Sequence, residues 1–128
     1  MGGLQMPLSQ QDAARVLIVE DEPLIALSLE DVLVDAGFRV AGVAGKLERA
    51  LSVIESGRCD AAIIDTNLAG VSASPVAAAL AARGLPFVIL SGYSQEQMPS
   101  EFAGMPFLQK PCPPARLVET MSRLLLKR

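Results

Sequence analysis

The sequence predicts one α/β domain, a five-stranded parallel doubly wound sheet with helices on both faces. Three observations predict it. Short β-rich apolar runs alternate with stretches of helical period from end to end. Two of the runs, residues 16–19 and 61–64, are apolar at every position, as strands covered on both faces must be. The length, 128 residues of which 51% are hydrophobic and 20% charged, supports one core, is too short for two, and is too apolar for a disordered chain.

The elements follow in order. Residues 16–19 form the first strand. Ile25, Leu29, Val32 and Ala36 then make one helical stripe, with Leu24, Leu27 and Val34 off it, and Gly37 stops the helix. Residues 38–43 form the second strand. Leu47, Ala50, Leu51 and Ile54 fall at i, i+3, i+4 and i+7, and Gly57 ends that helix. The third strand is 61–64, and the helix after it stops at Gly84. The fourth strand is 87–90. Between Ser94 and Gly104 the periodicity is weak and Pro99 interrupts it, so the fourth helix is expected to be short or irregular. Residues 107–108 form the last strand. Pro113 and Pro114 suit the first turn of the last helix, where a missing donor costs little, and Leu117, Val118, Met121, Leu124 and Leu125 give it an apolar face. Residues 1–14 are expected to be a flexible tail, and 15–128 the domain.

Composition excludes several functions. Net charge is −3, with no Lys/Arg cluster to suit nucleic acid. There is no histidine, so His-dependent hydrolase mechanisms are out, and Cys59 and Cys112 alone cannot build a four-ligand zinc site. Two thiols without a secretory signal fit a reducing, cytoplasmic setting. No apolar run approaches the roughly twenty residues of a transmembrane helix. A metal here must be a hard ion that prefers oxygen.

In an open parallel sheet, ligands bind beyond the carboxyl ends of the strands. Glu20, Asp21 and Glu22 follow the first strand, and Asp65, Thr66 and Asn67 the third. Ser91 and Gly92 end the fourth, and Lys110 and Pro111 the fifth. Pooled carboxylate charge calls for a cation, and oxygen ligands without His specify Mg²⁺. A carboxylate beside such an ion can attack phosphorus, with Lys110 and the Ser91 hydroxyl neutralising phosphoryl oxygens.

The segments VLIVEDE, IIDTN, ILSGY and FLQKP, in this order and spacing, resemble the receiver domain of two-component response regulators over nearly the whole chain from Arg15. ILSGY and the Pro- and Gly-containing segment after it resemble a subset with a Phe-Ala-Thr-Gly-Tyr motif, common among alphaproteobacterial single-domain receivers. Here Ile-Leu-Ser replaces Phe-Ala-Thr. The resemblance implies the flavodoxin-like strand order 2-1-3-4-5 and a phosphoacceptor at Asp65. It implies Mg²⁺ or Mn²⁺ held directly by Asp21, Asp65 and the Asn67 backbone carbonyl, and by Glu20 through water. Ser91 becomes the switch hydroxyl, Phe107 the aromatic switch position, and Asn67 and Tyr93 the residues that set phosphate lifetime. The Lys110–Pro111 bond is expected to be cis. The phosphodonor would be a sensor histidine kinase or histidine phosphotransferase, with Leu24 and Leu27 in its docking face and a downstream protein as a further partner. No nucleic-acid or membrane partner is implied. As the chain ends with its last helix, it is expected to carry no output domain. It would be a signalling phosphoacceptor, not an enzyme, beyond catalysing its own phosphorylation and dephosphorylation.

Three alternatives stand beside this. An FMN binder would show flavin absorbance, but Glu20, Asp21 and Glu22 repel a phosphate where such proteins cradle one. An aspartyl phosphohydrolase resembling the haloacid dehalogenase group would turn over small phosphate esters, but has an acid where this chain has Asn67. A degenerate receiver would bind protein only.

Overall fold

The computed structural model describes residues 13–126. Its main sheet has strands β1 (Arg15–Val19), β2 (Arg39–Ala44), β3 (Ala61–Ile64), β6 (Phe87–Ser91) and β7 (Phe107–Gln109). A small hairpin, β4 (Asn67–Leu68) and β5 (Val71–Ser72), interrupts the series. The helices are α1 (Pro23–Asp35), α2 (Leu47–Glu55), α3 (Ser74–Ala82) and α4 (Pro114–Leu126). The main sheet runs β2-β1-β3-β6-β7, and every neighbouring pair is parallel. This is the doubly wound 2-1-3-4-5 order expected from the sequence.

Alternation along each strand divides the core between two faces. Val16, Ile18, Ala61, Ile63, Val88 and Leu90 pack with Ala26, Leu29 and Leu33 of α1 and with Leu117 and Met121 of α4. Leu17, Val19, Ala62, Ile64 and Ile89 pack with Ala50, Val53 and Ile54 of α2 and with Val76, Ala77 and Leu80 of α3. The three glycines read as helix stops all have positive φ: Gly37 at 93°, Gly57 at 74° and Gly84 at 68°. They relieve the steric conflict a side chain would meet at the helix C-terminus. Pro114 opens α4 with its missing N–H in the first turn, where no intrahelical acceptor is due.

Two features depart from the sequence reading, and a third follows it. The buried face of α1 is Ala26, Leu29 and Leu33, not the stripe of Ile25, Leu29, Val32 and Ala36. Ile25 and Val32 are only partly buried and Ala36 is exposed. The small Ala26 is on the side of α1 that meets the sheet, and the larger Ile25 lies at its margin. The fourth helix, expected to be short or irregular, is a single 3₁₀ turn, Ser100–Phe102, pinned by the buried Phe102 side chain. The hairpin was not anticipated, because its turn is Ala69-Gly70, with both residues at positive φ (53° and 91°), and Ala is an unusual residue there.

Ala14 lies in the expected tail, yet its carbonyl accepts a hydrogen bond from the Arg39 N–H at 2.9 Å, at the start of the β1–β2 pairing. Residues 1–12 of that tail lie outside the described residues. No helix among the described residues is long and apolar enough to cross a membrane.

Candidate functional site

The carboxyl ends of β1, β3, β6 and β7 meet at one end of the sheet. Pairing sets them level: Val19 lies beside Ile64, Ile64 beside Ile89, and Ser91 beside Gln109. The residues just beyond these positions are Glu20, Asp65 and Lys110. Backbone bonds continue the strands into the site. The Glu20 N–H donates to the Ala44 carbonyl at 2.9 Å, Asp65 N–H to Val19 at 2.9 Å, and Lys110 N–H to Ser91 at 2.7 Å. Glu20, Asp65 and Lys110 are therefore held at the edge of the rigid sheet, not on a free loop.

Glu20, Asp21 and Asp65 each offer a carboxylate oxygen within 4.8 Å of the others. The Lys110 ammonium donates to Glu20 Oε1 at 3.3 Å and to Asp65 Oδ2 at 3.5 Å. The Glu22 N–H donates to Glu20 Oε2 at 3.2 Å. Three carboxylates thus face one ammonium. The Glu20 side chain is only 2% exposed. Burial pushes its carboxyl above the ordinary value of 4.5, and Asp65 adds to that, while the Glu22 amide and Lys110 oppose it. The cluster has more negative charge than Lys110 balances, and its donors are all oxygen. That chemistry fits a hard divalent cation.

Ser91 is buried, and its hydroxyl oxygen accepts from the Tyr93 N–H at 3.1 Å and lies 3.2 Å from Thr66 Oγ1. The Asn67 side chain is committed to the hairpin turn, its Oδ1 accepting from the Gly70 N–H at 2.7 Å. Lys110–Pro111 is cis.

The profile of the response regulator receiver domain family matches residues 16–122. The chain belongs to this family. Among solved structures it is similar to SdrG from Sphingomonas melonis, with 43% identity and a TM-score of 0.76 over 88% of this chain and 97% of that one. Among curated proteins it is similar to the transcriptional regulatory protein PdtaR of Mycobacterium tuberculosis, 31% identical over 82% of this chain and 55% of that one. It is also similar to the phyllosphere-induced regulator PhyR of Methylorubrum extorquens, 32% identical over 92% of this chain and 46% of that one. The chain spans about half the length of these two curated relatives.

The sequence-predicted residues of this receiver domain fall into two groups. Glu20, Asp21, Asp65 and Lys110 come together as one cluster. The others make no side-chain bond to it. The hydroxyl of Ser91 engages Thr66 and the Tyr93 amide. Tyr93 is itself 43% exposed. Phe107 is partly buried against the α2–α3 side of the core. Leu24 and Leu27 stand out from α1, 82% and 55% exposed. Cys59 and Cys112 are both free, and burial pushes both thiols up, away from reactive thiolate character. Thr66 is placed at a strand end by sequence reasoning but given no role there. Its one available signal was position, directly after Asp65 at a strand end.

Proposed function

We propose that this receiver domain accepts a phosphoryl group on Asp65 from the phosphohistidine of a sensor kinase or histidine phosphotransferase. It then signals by binding a partner, or passes the group on as a shuttle or sink. The observation that carries this reading is Lys110 bonded to both Glu20 and Asp65, beside Asp21, at the ends of three strands.

An Asp65 carboxylate oxygen attacks phosphorus and forms the new P–O bond. The P–N bond to the donor breaks, its electron pair stays on the imidazole nitrogen, and that nitrogen takes up a proton. The Lys110 ammonium balances charge on the phosphoryl oxygens, and the Ser91 hydroxyl donates to one of them. Asp21, Asp65 and the Asn67 carbonyl, with Glu20 through water, are the residues to hold Mg²⁺ or Mn²⁺. When bound, that ion supplies further neutralisation of phosphoryl charge. Loss of the group to water restores the carboxylate. Asn67 and Tyr93 flank this step and set its rate, and Phe107 responds by repacking. The role is cytoplasmic signalling, with no separate substrate turned over. Intact mass after incubation with a small-molecule phosphodonor and Mg²⁺ tests the reading, with one phosphoryl adduct as the expected result.

Cation binding should depend on pH through Glu20. Its folded pKa lies above 4.5, so between that value and the folded pKa the native state holds a proton the unfolded chain has released. The stability this proton contributes is present at acid pH and is lost as pH rises through the folded pKa. The cation requires the carboxylate, so its affinity should rise with pH across the same interval. Calorimetric Mg²⁺ titrations on either side of the interval check this, and equal affinities would contradict it.

Leu24 and Leu27 form the kinase-docking face in this reading, because large exposed apolar side chains beside a site mark a contact surface. Leu27→Asp should slow phosphotransfer from the cognate histidine kinase by about tenfold or more. Uptake from a small-molecule donor should be unaffected. An unchanged transfer rate from the kinase would remove Leu27 from the docking face.

A further inference from the structure

Two hydroxyls meet inside the site. Thr66 Oγ1 and Ser91 Oγ are 3.2 Å apart, at residues only 4% and 1% exposed. Ser91 Oγ also accepts from the Tyr93 N–H, which anchors it from the following loop. The Thr66 backbone is anchored too, its carbonyl accepting from the Ala73 N–H at 3.0 Å. Among the described residues, Ser91 is the only hydrogen-bond partner of the Thr66 hydroxyl. Asp65, one residue earlier, is bonded instead to Lys110. In this structure the Ser91 hydroxyl therefore engages Thr66 and not any member of the acidic cluster.

We infer that Thr66 is a positioning residue that holds the Ser91 hydroxyl in its resting place, so that the Thr66–Ser91 bond must be exchanged for a bond to the phosphoryl oxygen. The inference rests on the function proposed above and names the residue that sets the balance of its switch. While Ser91 Oγ is held against Thr66 Oγ1 it makes no bond to the acidic cluster, so reaching a phosphoryl oxygen on Asp65 means leaving Thr66. The exchange also leaves the buried Thr66 hydroxyl without its partner. Both effects oppose the phosphorylated arrangement. Thr66→Val, nearly the same shape without the hydroxyl, removes both.

The experiment is an NMR titration with beryllofluoride, a phosphoryl mimic, in the presence of Mg²⁺. It compares wild type with Thr66→Val, Thr66→Ser, Ser91→Ala and the Thr66→Val/Ser91→Ala double variant. Losing one buried hydrogen bond from the resting side should tighten Thr66→Val binding by about fivefold. Thr66→Ser keeps the hydroxyl and should match wild type. In the Ser91→Ala background Thr66→Val should have no effect, since the partner is already gone. Unchanged or weaker binding by Thr66→Val overturns the inference, and so does an equal gain in the Ser91→Ala background. Either result leaves the proposed function standing. No binding by wild type overturns the proposed function itself, and this inference falls with it.

Discussion

Asp65→Asn should abolish phosphoryl uptake completely. The reaction needs a carboxylate oxygen with a charge to give, and a neutral amide has neither the nucleophilicity nor the affinity for a cation. The effect should be chemical and not structural. The Asp65 side chain is 17% exposed, and its side-chain bond is to Lys110, which keeps Glu20 as a partner after the substitution. Asn also retains hydrogen-bonding capacity of similar shape. Wild type should gain one phosphoryl adduct from a small-molecule donor with Mg²⁺ and none after EDTA. The Asn variant should gain none at all, with an unfolding midpoint close to wild type. An adduct of equal yield on the Asn variant would move the phosphoacceptor elsewhere. A folded wild type that takes no phosphoryl group from a small-molecule donor or from a histidine kinase would leave a protein-binding module as the reading.

Lys110→Met should produce the second large effect, in rate and in stability together. Its ammonium is the cation shared by Glu20 and Asp65, at 3.3 and 3.5 Å. Removing one preorganised charge donor from a transfer site lowers rate by about a hundredfold or more. The stability cost lies between two limits. Exposed ion pairs contribute little, and a fully buried carboxylate left unpaired costs several kcal/mol. Here Glu20 is buried, but the Lys110 side chain is 26% exposed and the Asp65 side chain 17%. A loss of about 1–3 kcal/mol is expected between those limits. Saturating Mg²⁺ should recover more stability in the Met variant than in wild type, because the acidic cluster then has no other counter-charge. Urea unfolding with and without Mg²⁺ checks both statements. Wild-type stability and wild-type uptake in the Met variant would show that the ammonium has neither role.

The sequence by itself determined the parallel α/β class, the five strands of the main sheet and four of the helices, the three glycine stops, and the cluster of Glu20, Asp21, Asp65 and Lys110. These are legible because they depend on local periods and on one topological rule. Apolar spacing marks each element, and in a parallel sheet the residues after each strand share one edge, whatever the details of packing. The weak segment before β7 was legible for the same reason in reverse, since proline and glycine leave no period to read.

Only the tertiary structure decided the rest. The face that α1 buries, Ala26, Leu29 and Leu33, depends on how the helix is turned on the sheet, and no count of apolar residues along the helix contains that orientation. The β4–β5 hairpin depends on Asn67 Oδ1 capturing the Gly70 N–H across a turn that holds Ala69 at positive φ. The pairing of Thr66 with Ser91 depends on β3 lying beside β6 in a register that sets Ile64 against Ile89. Side chains 25 positions apart in the chain meet there because two strand ends are level, which is a property of the folded sheet and not of either segment.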